Sequence, residues 1–567
     1  MSLMRDAMRA TKMKKAISKS SLLPVVMMAL ALLFTATARA ASPGITGTSF
    51  SLTAQSAFLN QPDGAAVYAW GYGCVATFVP AFAPAMPNQK CPTMQVPGPT
   101  LIVTEGASVT VTLTNNLPTA AGNTSILFPG FQVTGSGTGS VPGLLAQEAV
   151  PGGSVTYTFV ASTPGTHAYY SGTQGDLQIE MGLYGAIIVI PASDPTGCLA
   201  SQVALSNGNV AVEGAHGESD FRLAHYAYDN CKTNYDREYL FQWAEMDSNI
   251  HRQALAQVTA KANCVVTDPA CKLEVPTEPY HPEYFLINGR SMPDLMDANF
   301  GAEYPHQPYN GNPHMHPGEQ VLIRTIGQGR WQHPFHEHGN HVRILARDGN
   351  LILGTAAPGV ADPNSLAGLL MFNTDTTPGQ AFDGIFYWSG RGLNWDPYAH
   401  HGGTTDAFGD PLAVQNCYPD SNGYYTVNSS PAAPPSAINY YEWCQDHNKP
   451  LEVAPLGDVA GGGPATLPNP NIFTNGAWYG GTPYLGPDAS LRAFAPNCAT
   501  PGPANANAGC TPLQPSNTQA NPANERGFAF MWHSHNEREI TTNNVFPGGM
   551  LMMMLVDSRE FVIDESN

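Results

Sequence analysis

The sequence predicts an all-β fold of two barrels, the second carrying a large loop-rich insertion, and three observations carry that prediction. Glycine and proline number 56 and 49 among 567 residues, and only 12 % of residues are charged. Such a composition disfavours long helices and favours short strands joined by turns. Short runs with apolar and polar residues in alternation recur along the chain, and they fall into two regions separated by a stretch with little periodicity.

Residues 1–40 stand apart. Lys14, Lys15 and Lys19 precede an apolar run from Leu22 to Phe34 that ends in Ala38-Arg39-Ala40, the pattern of a signal peptide cleaved near Ala40. The run is interrupted by Pro24 and is short for a bilayer, so stable membrane insertion is not expected. The expected location is periplasmic or secreted. Removing these residues takes away seven basic groups and one acid and moves the formal charge from −19 to −25. An acidic surface of that size excludes nucleic acid and anionic membranes as partners.

The first barrel is expected within residues 41–197. Leu101-Ile-Val-Thr and Val109-Thr-Val-Thr-Leu read as two strands around a turn at Glu105-Gly106, and Val155-Thr-Tyr-Thr-Phe-Val and Ala186-Ile-Ile-Val-Ile follow in the same style. Residues 198–236 read as a linker. The second barrel, 237–567, opens at Tyr239-Leu-Phe-Gln-Trp, continues through Tyr284-Phe-Leu-Ile and Gln320-Val-Leu-Ile-Arg, and closes with Gly549-Met-Leu-Met-Met-Met-Leu-Val. Between about 350 and 524 the chain is rich in Gly, Pro, Asn and aromatics and is assigned to the insertion. Ten cysteines in an exported chain imply disulfides. Short separations suggest Cys74–Cys91, Cys264–Cys271, Cys417–Cys444 and Cys498–Cys510, with connectivity open.

Chemistry concentrates in Trp331-Gln-His333-Pro-Phe-His336-Glu-His338-Gly-Asn-His341, four histidines in nine residues. Histidines two apart on a strand project to one face, and neutral imidazole suits copper, zinc, iron or nickel. A second alternating pair, His533-Ser534-His535, precedes the last apolar strand. If the two strands meet, His336, His338, His533 and His535 form a four-histidine metal pocket, with His333, His341 or Glu539 as further candidates. A third pair, His314-Met315-His316, is a weaker candidate placed in a loop by Pro313 and Pro317. Met550, Met552 and Met554 read as core, and His400, His401 and His447 as loop histidines.

Taken together, His333-Pro-Phe-His336-Glu-His338-Gly followed by a late His-x-His and a Gly-Met strand resembles the multicopper oxidase family. Val96-Pro97-Gly98-Pro99-Thr100, Asn116-Leu117-Pro118, Gly165-Thr166-His167, Gly182-Leu183-Tyr184-Gly185 and Ile287-Asn288-Gly289 are similar to further pieces of its pattern. The resemblance implies cupredoxin-like Greek-key barrels and a layout like the short members, which assemble as homotrimers with metal between subunits. It also implies copper, with His333 at a type 1 position, His336 at a type 2 position and His338, His533 and His535 at type 3 positions.

The departures matter as much. The family's cysteine between the last two histidines is Ser534, and its second type 1 histidine is Glu539. A serine hydroxyl cannot replace the soft thiolate of blue copper. In the first domain Leu127-Phe128-Pro129-Gly130 and Tyr170-Ser171-Gly172 stand where the family has its paired histidines, and His167 is out of register. The expectation is an exported protein that binds copper, or zinc as competitor, through a residual histidine site, with at most limited oxidoreductase activity and no blue-laccase chemistry. The alternative is a non-catalytic scaffold of the cell envelope. An external electron-transfer partner in place of the lost type 1 centre is a third expectation.

Overall fold

In the computed structural model, residues 42–198, 220–388 and 527–557 are described except 87, 266 and 317–318, with short pieces at 418–419, 425–426, 482–484 and 563. The leader, much of the linker, and most of the insertion with Cys417, Cys444, Cys498, Cys510, His400, His401 and His447 lie outside these residues.

Two five-stranded sheets make the first domain. Gly165–Tyr170, Tyr184–Ile190, Leu101–Thr104, Gly44–Thr46 and Ala81–Ala83 lie side by side in one. Ala66–Cys74, Ser49–Asn60, Ser108–Asn115, Ser154–Val160 and Thr134–Ser136 form the other. The period-two pattern does what it predicts: Val109, Val111 and Leu113 are fully buried, while Thr112 and Thr114 on the opposite face bond Thr156 and Ser154 across the strands.

Two larger sheets make the second domain. The first orders Tyr284–Ile287, Arg237–Met246, Gln320–Gly327, Ala381–Tyr387, Val342–Arg347 and Asn350–Leu351. The second orders His314–Met315, Leu551–Asp557, Gly527–Ser534, His333–Glu337 and Asn373–Thr376. The fold is all-β, its strands gathered into these four larger sheets. Every residue of Arg237–Met246 is buried. Tyr239, Phe241 and Trp243 enter the core of their own domain, and Leu240, Ala244 and Met246 pack on the first domain. At the same junction Asn288 and Gly289 take positive φ (54° and 82°), and a Cβ on Gly289 would lie 2.1 Å from the carbonyl oxygen of Val96. Only glycine permits that approach.

Three features add to or revise the sequence reading. Within the stretch assigned to the insertion, Asn373–Thr376 pairs with the histidine strand His333–Glu337, and Ala381–Tyr387 is interior to its sheet. His314 and Met315 form a short parallel pairing with Leu555 and Val556 rather than a loop. Ser248–Ala260 is a thirteen-residue helix capped by the Asp247 carboxylate, with Ile250, His251 and Ala254 buried. Cys74–Cys91 and Cys264–Cys271 are bonded, as is Cys198–Cys231. No described helix is long and apolar enough to cross a membrane.

Candidate metal centre

The two H-x-H segments meet because His333–Glu337 and Gly527–Ser534 are antiparallel neighbours, with His336 directly opposite His533 and Phe335 opposite Ser534. Alternation then sorts the side chains onto two faces. His336, His338, His533 and His535 share the outer face. His333, Phe335 and Ser534 share the inner one, where Phe335 packs against Trp243 and Trp532.

On the outer face the ring centroids of His336 lie 4.8 Å from both His338 and His535, and those of His338 and His533 lie 5.3 Å apart. Ligand nitrogens of His336, His338 and His533 fall within 4.8 Å of one another. Two rings have their tautomers set by the backbone. Nδ1 of His336 donates to the Phe372 carbonyl at 2.5 Å, and Nδ1 of His533 donates to the Ser534 carbonyl at 2.7 Å. A carbonyl only accepts, so in each neutral ring Nε2 presents a lone pair. Nε2 of His533 and Nε2 of His338 lie within hydrogen-bonding distance, at 3.3 Å.

Burial, reinforced by the neighbouring imidazoles, pushes His338 down to about 4. It also lowers His336 and His533, against the opposing pull of their backbone carbonyls. Three imidazoles whose ligand nitrogens converge, His336, His338 and His533, two of them with the second nitrogen anchored, and the exposed His535 ring beside them are a donor set that fits copper or zinc.

The inner face has the opposite chemistry. Nδ1 of the fully buried His333 donates to Glu539 at 2.8 Å and Nε2 donates to Glu245 at 2.9 Å. Burial alone would lower its pKa, but the bonds to Glu245 and Glu539 and their charges outweigh it and raise His333 to about 9. It is an imidazolium. Both nitrogens carry hydrogens, so His333 offers no lone pair to a metal, and Glu539 is engaged with it, with Ser534 Oγ at 2.5 Å and with Asn536 at 2.9 Å. The residues present do not fit a blue copper centre.

Glu245 escaped the sequence reading, although a lone carboxylate in the apolar strand Tyr239-Leu-Phe-Gln-Trp-Ala-Glu was its signal. Its other oxygen accepts from the Arg330 and Trp331 backbone and from Tyr280, whose hydroxyl also donates to the buried Glu180. Glu337, between the two outer histidines, is buried without a side-chain hydrogen bond, and desolvation raises its pKa well above the usual carboxylate range.

Other candidates stay outside the cluster. His341 abuts Phe372, at 5.3 Å between ring centroids. His314 and His316 are buried on the far edge of the sheet, beyond Leu551–Asp557. His167 is a buried structural residue, its ring on Phe131 and its Nε2 bonded to the Thr163 carbonyl. In the first domain Phe128 packs in an aromatic core with Tyr157, Phe159 and Tyr169, and Leu127 pairs with Tyr170. Among the described residues no imidazole takes the place of the missing ligands there.

Residues 90–194 match the family model for multicopper oxidases. The chain is similar to Laccase 1 of Metarhizium acridum (strain CQMa 102), 36 % identical over 129 residues, or 22 % of this chain and 20 % of that one. It is also similar to the multicopper oxidase MCE of Talaromyces pinophilus, 37 % identical over 98 residues, or 17 % and 15 %. The matches thus span a fifth or less of these relatives' length. Among solved structures, a blue copper oxidase from Nitrosomonas europaea aligns over 90 % of this chain and 85 % of its own at 14 % identity, with a TM-score of 0.40.

Proposed function

We propose that the chain is a member of the multicopper oxidase family and an exported protein that binds copper through His336, His338, His533 and His535, with at most limited oxidoreductase activity, a reading supported by the match of residues 90–194 to the multicopper oxidase model and by the similarity to Laccase 1. The observation that carries the reading is the convergence of the His336, His338 and His533 ligand nitrogens, with the His535 ring beside them and two tautomers fixed by backbone carbonyls. A bound copper ion would supply one-electron redox chemistry and Lewis acidity there. The chain's own residues set the terms. Phe372 and Ser534 orient two rings, burial lowers the pKa of His336, His338 and His533, and the position of His535 at the exposed rim leaves the cluster open to solvent.

Blue-laccase turnover is not part of the proposal. The inner face holds a serine hydroxyl and a carboxylate-clamped imidazolium instead of a thiolate and two imidazole lone pairs. The first-domain half of a trinuclear cluster is replaced by Leu127, Phe128 and Tyr170.

Metal analysis of protein purified from its native compartment, together with dioxygen uptake on phenolic substrates, tests this. Bound copper with negligible uptake is expected. Rapid uptake overturns the limited-activity reading, and no metal after dialysis against a weak chelator leaves the scaffold reading.

A further inference from the structure

A groove of about 680 Å³ lies between loops of the first domain and the disulfide-closed loop that follows the helix Ser248–Ala260. Its apolar part is small and comes from the buried side chains of Ala120, Ala121 and Leu273. The rest is mostly polar. On the first-domain side the Glu148 carboxylate accepts from Thr173 Oγ1 at 2.8 Å and from Asn123 Nδ2 at 3.0 Å. Thr173 Oγ1 also lies 2.8 Å from Ser125 Oγ, and with its own proton committed to Glu148 it accepts from Ser125. Such a chain of hydroxyls polarises in one direction and holds the carboxylate in place. A carboxylate has about four lone-pair positions, so these two bonds leave capacity for a ligand. Thr173 directly follows Tyr170-Ser171-Gly172, the segment that stands where the family has its second histidine pair.

The other side of the groove carries Thr267, Asp268 and Lys272, all exposed. Cys264–Cys271 closes the loop that holds Thr267 and Asp268, and the Asp268 carboxylate accepts from the Ala270 N–H at 2.9 Å. Past Lys272, two hydrogen bonds between the Gln257 side chain and the Glu274 backbone tie the chain to the helix. Both walls are therefore set before any ligand arrives.

We propose that this groove binds a neutral di- or trisaccharide. Its volume falls within the range of about 300–1,000 Å³ that holds a ligand of that size. Each polar element of the lining finds its complement in a row of sugar hydroxyls. Glu148 and Asp268 accept from them, Lys272 donates to hydroxyl or ring oxygens, and Thr267 and Gln174 do either. The C–H face of a sugar ring covers the patch made by Ala120, Ala121 and Leu273. A polyamine would meet the like charge of Lys272, and an anion would meet Glu148 and Asp268. A flat aromatic ligand would strip water from Glu148 without replacing its hydrogen bonds. Because Asn123, Glu148 and Thr173 are already bonded to one another, little side-chain freedom is lost on binding.

Isothermal titration of metal-free, full-length protein tests this, so the outcome is independent of the copper reading. Cellotriose and maltotriose are the neutral probes, spermidine the cationic one and inorganic phosphate the anionic one. Saturable binding of at least one trisaccharide in the millimolar range is expected, since none of the described lining residues is aromatic. Spermidine and phosphate should each bind at least ~10-fold more weakly. Glu148→Ala should cost ~10-fold in trisaccharide affinity, the scale of lost charge-assisted hydrogen bonds. Lys272→Ala, at an exposed position, should cost about 3-fold and keeps the test decisive if the Glu148 variant misfolds. No saturable binding of either trisaccharide, tighter binding of spermidine or phosphate, or trisaccharide affinity unchanged in both variants overturns the proposal.

Discussion

Two histidines five residues apart, His333 at the start of the strand His333–Glu337 and His338 just past its end, end up about five pH units from each other in character, His338 lowered to about 4 and His333 raised to about 9. Burial lowers both. What separates them is the neighbours that alternation selects: His338 faces other imidazoles, whereas His333 meets two carboxylates. The outer face has lone pairs and no cation of its own, while the inner face already holds one in the form of a proton. In this chain a candidate metal site and a proton-based tie share the same two strands.

The largest effect should come from emptying the outer face. The double change His533→Ala, His535→Ala should weaken copper binding by well over the 10–100-fold typical of substitutions beyond the ligands themselves. Metal content after dialysis against a weak chelator reads this, and circular dichroism should report intact barrels. Equal metal in wild type and variant would move the site elsewhere.

Breaking the inner face should instead cost stability. Glu245→Ala leaves the imidazolium with one partner in a buried site and should destabilise by about 3 kcal/mol in urea unfolding. The pH dependence follows from the raised pKa of His333. Its stabilisation is complete below the unfolded value near 6.5 and is lost as pH rises through about 9. Stability should therefore fall across that window in the wild type, and the His333→Gln variant should lack this component. A wild-type profile flat from pH 6.5 to 9.5 would argue that His333 is neutral.

Ser534→Cys tests whether the faces can be interchanged. The new thiol would meet Glu539 and a cationic His333 instead of two imidazole lone pairs, so neither an intense blue band nor phenol oxidation should appear in the copper-loaded variant. The smallest effect is expected for His314→Ala with His316→Ala, which should leave copper affinity at the cluster within about twofold, as these residues lie on the opposite edge of the sheet.

Much of this was legible in residue order. Period-two alternation put His336 with His338 and His533 with His535, and the same parity placed His333 and Ser534 on the other face. The clamp on His333 was not legible, because Glu245 comes from a different sheet nearly ninety residues upstream and only tertiary pairing brings it in. Ser248–Ala260 was readable in principle from Asp247 as cap and from Ile250, Ala254 and Leu255 on one face, but one helix in a glycine- and proline-rich chain runs against composition. The strands Asn373–Thr376 and Ala381–Tyr387 are short and partly polar, so they merged with the loop-rich sequence that follows.

The central claim is that the outer-face imidazoles, and not the inner face, hold copper. Pulsed paramagnetic resonance on protein titrated with copper(II) tests it most directly. The account predicts saturation at no more than two ions per chain, couplings from imidazole nitrogens, loss of those couplings in the His533→Ala, His535→Ala variant, and no thiolate signature. Imidazole couplings that survive that variant and vanish in His333→Gln would contradict it.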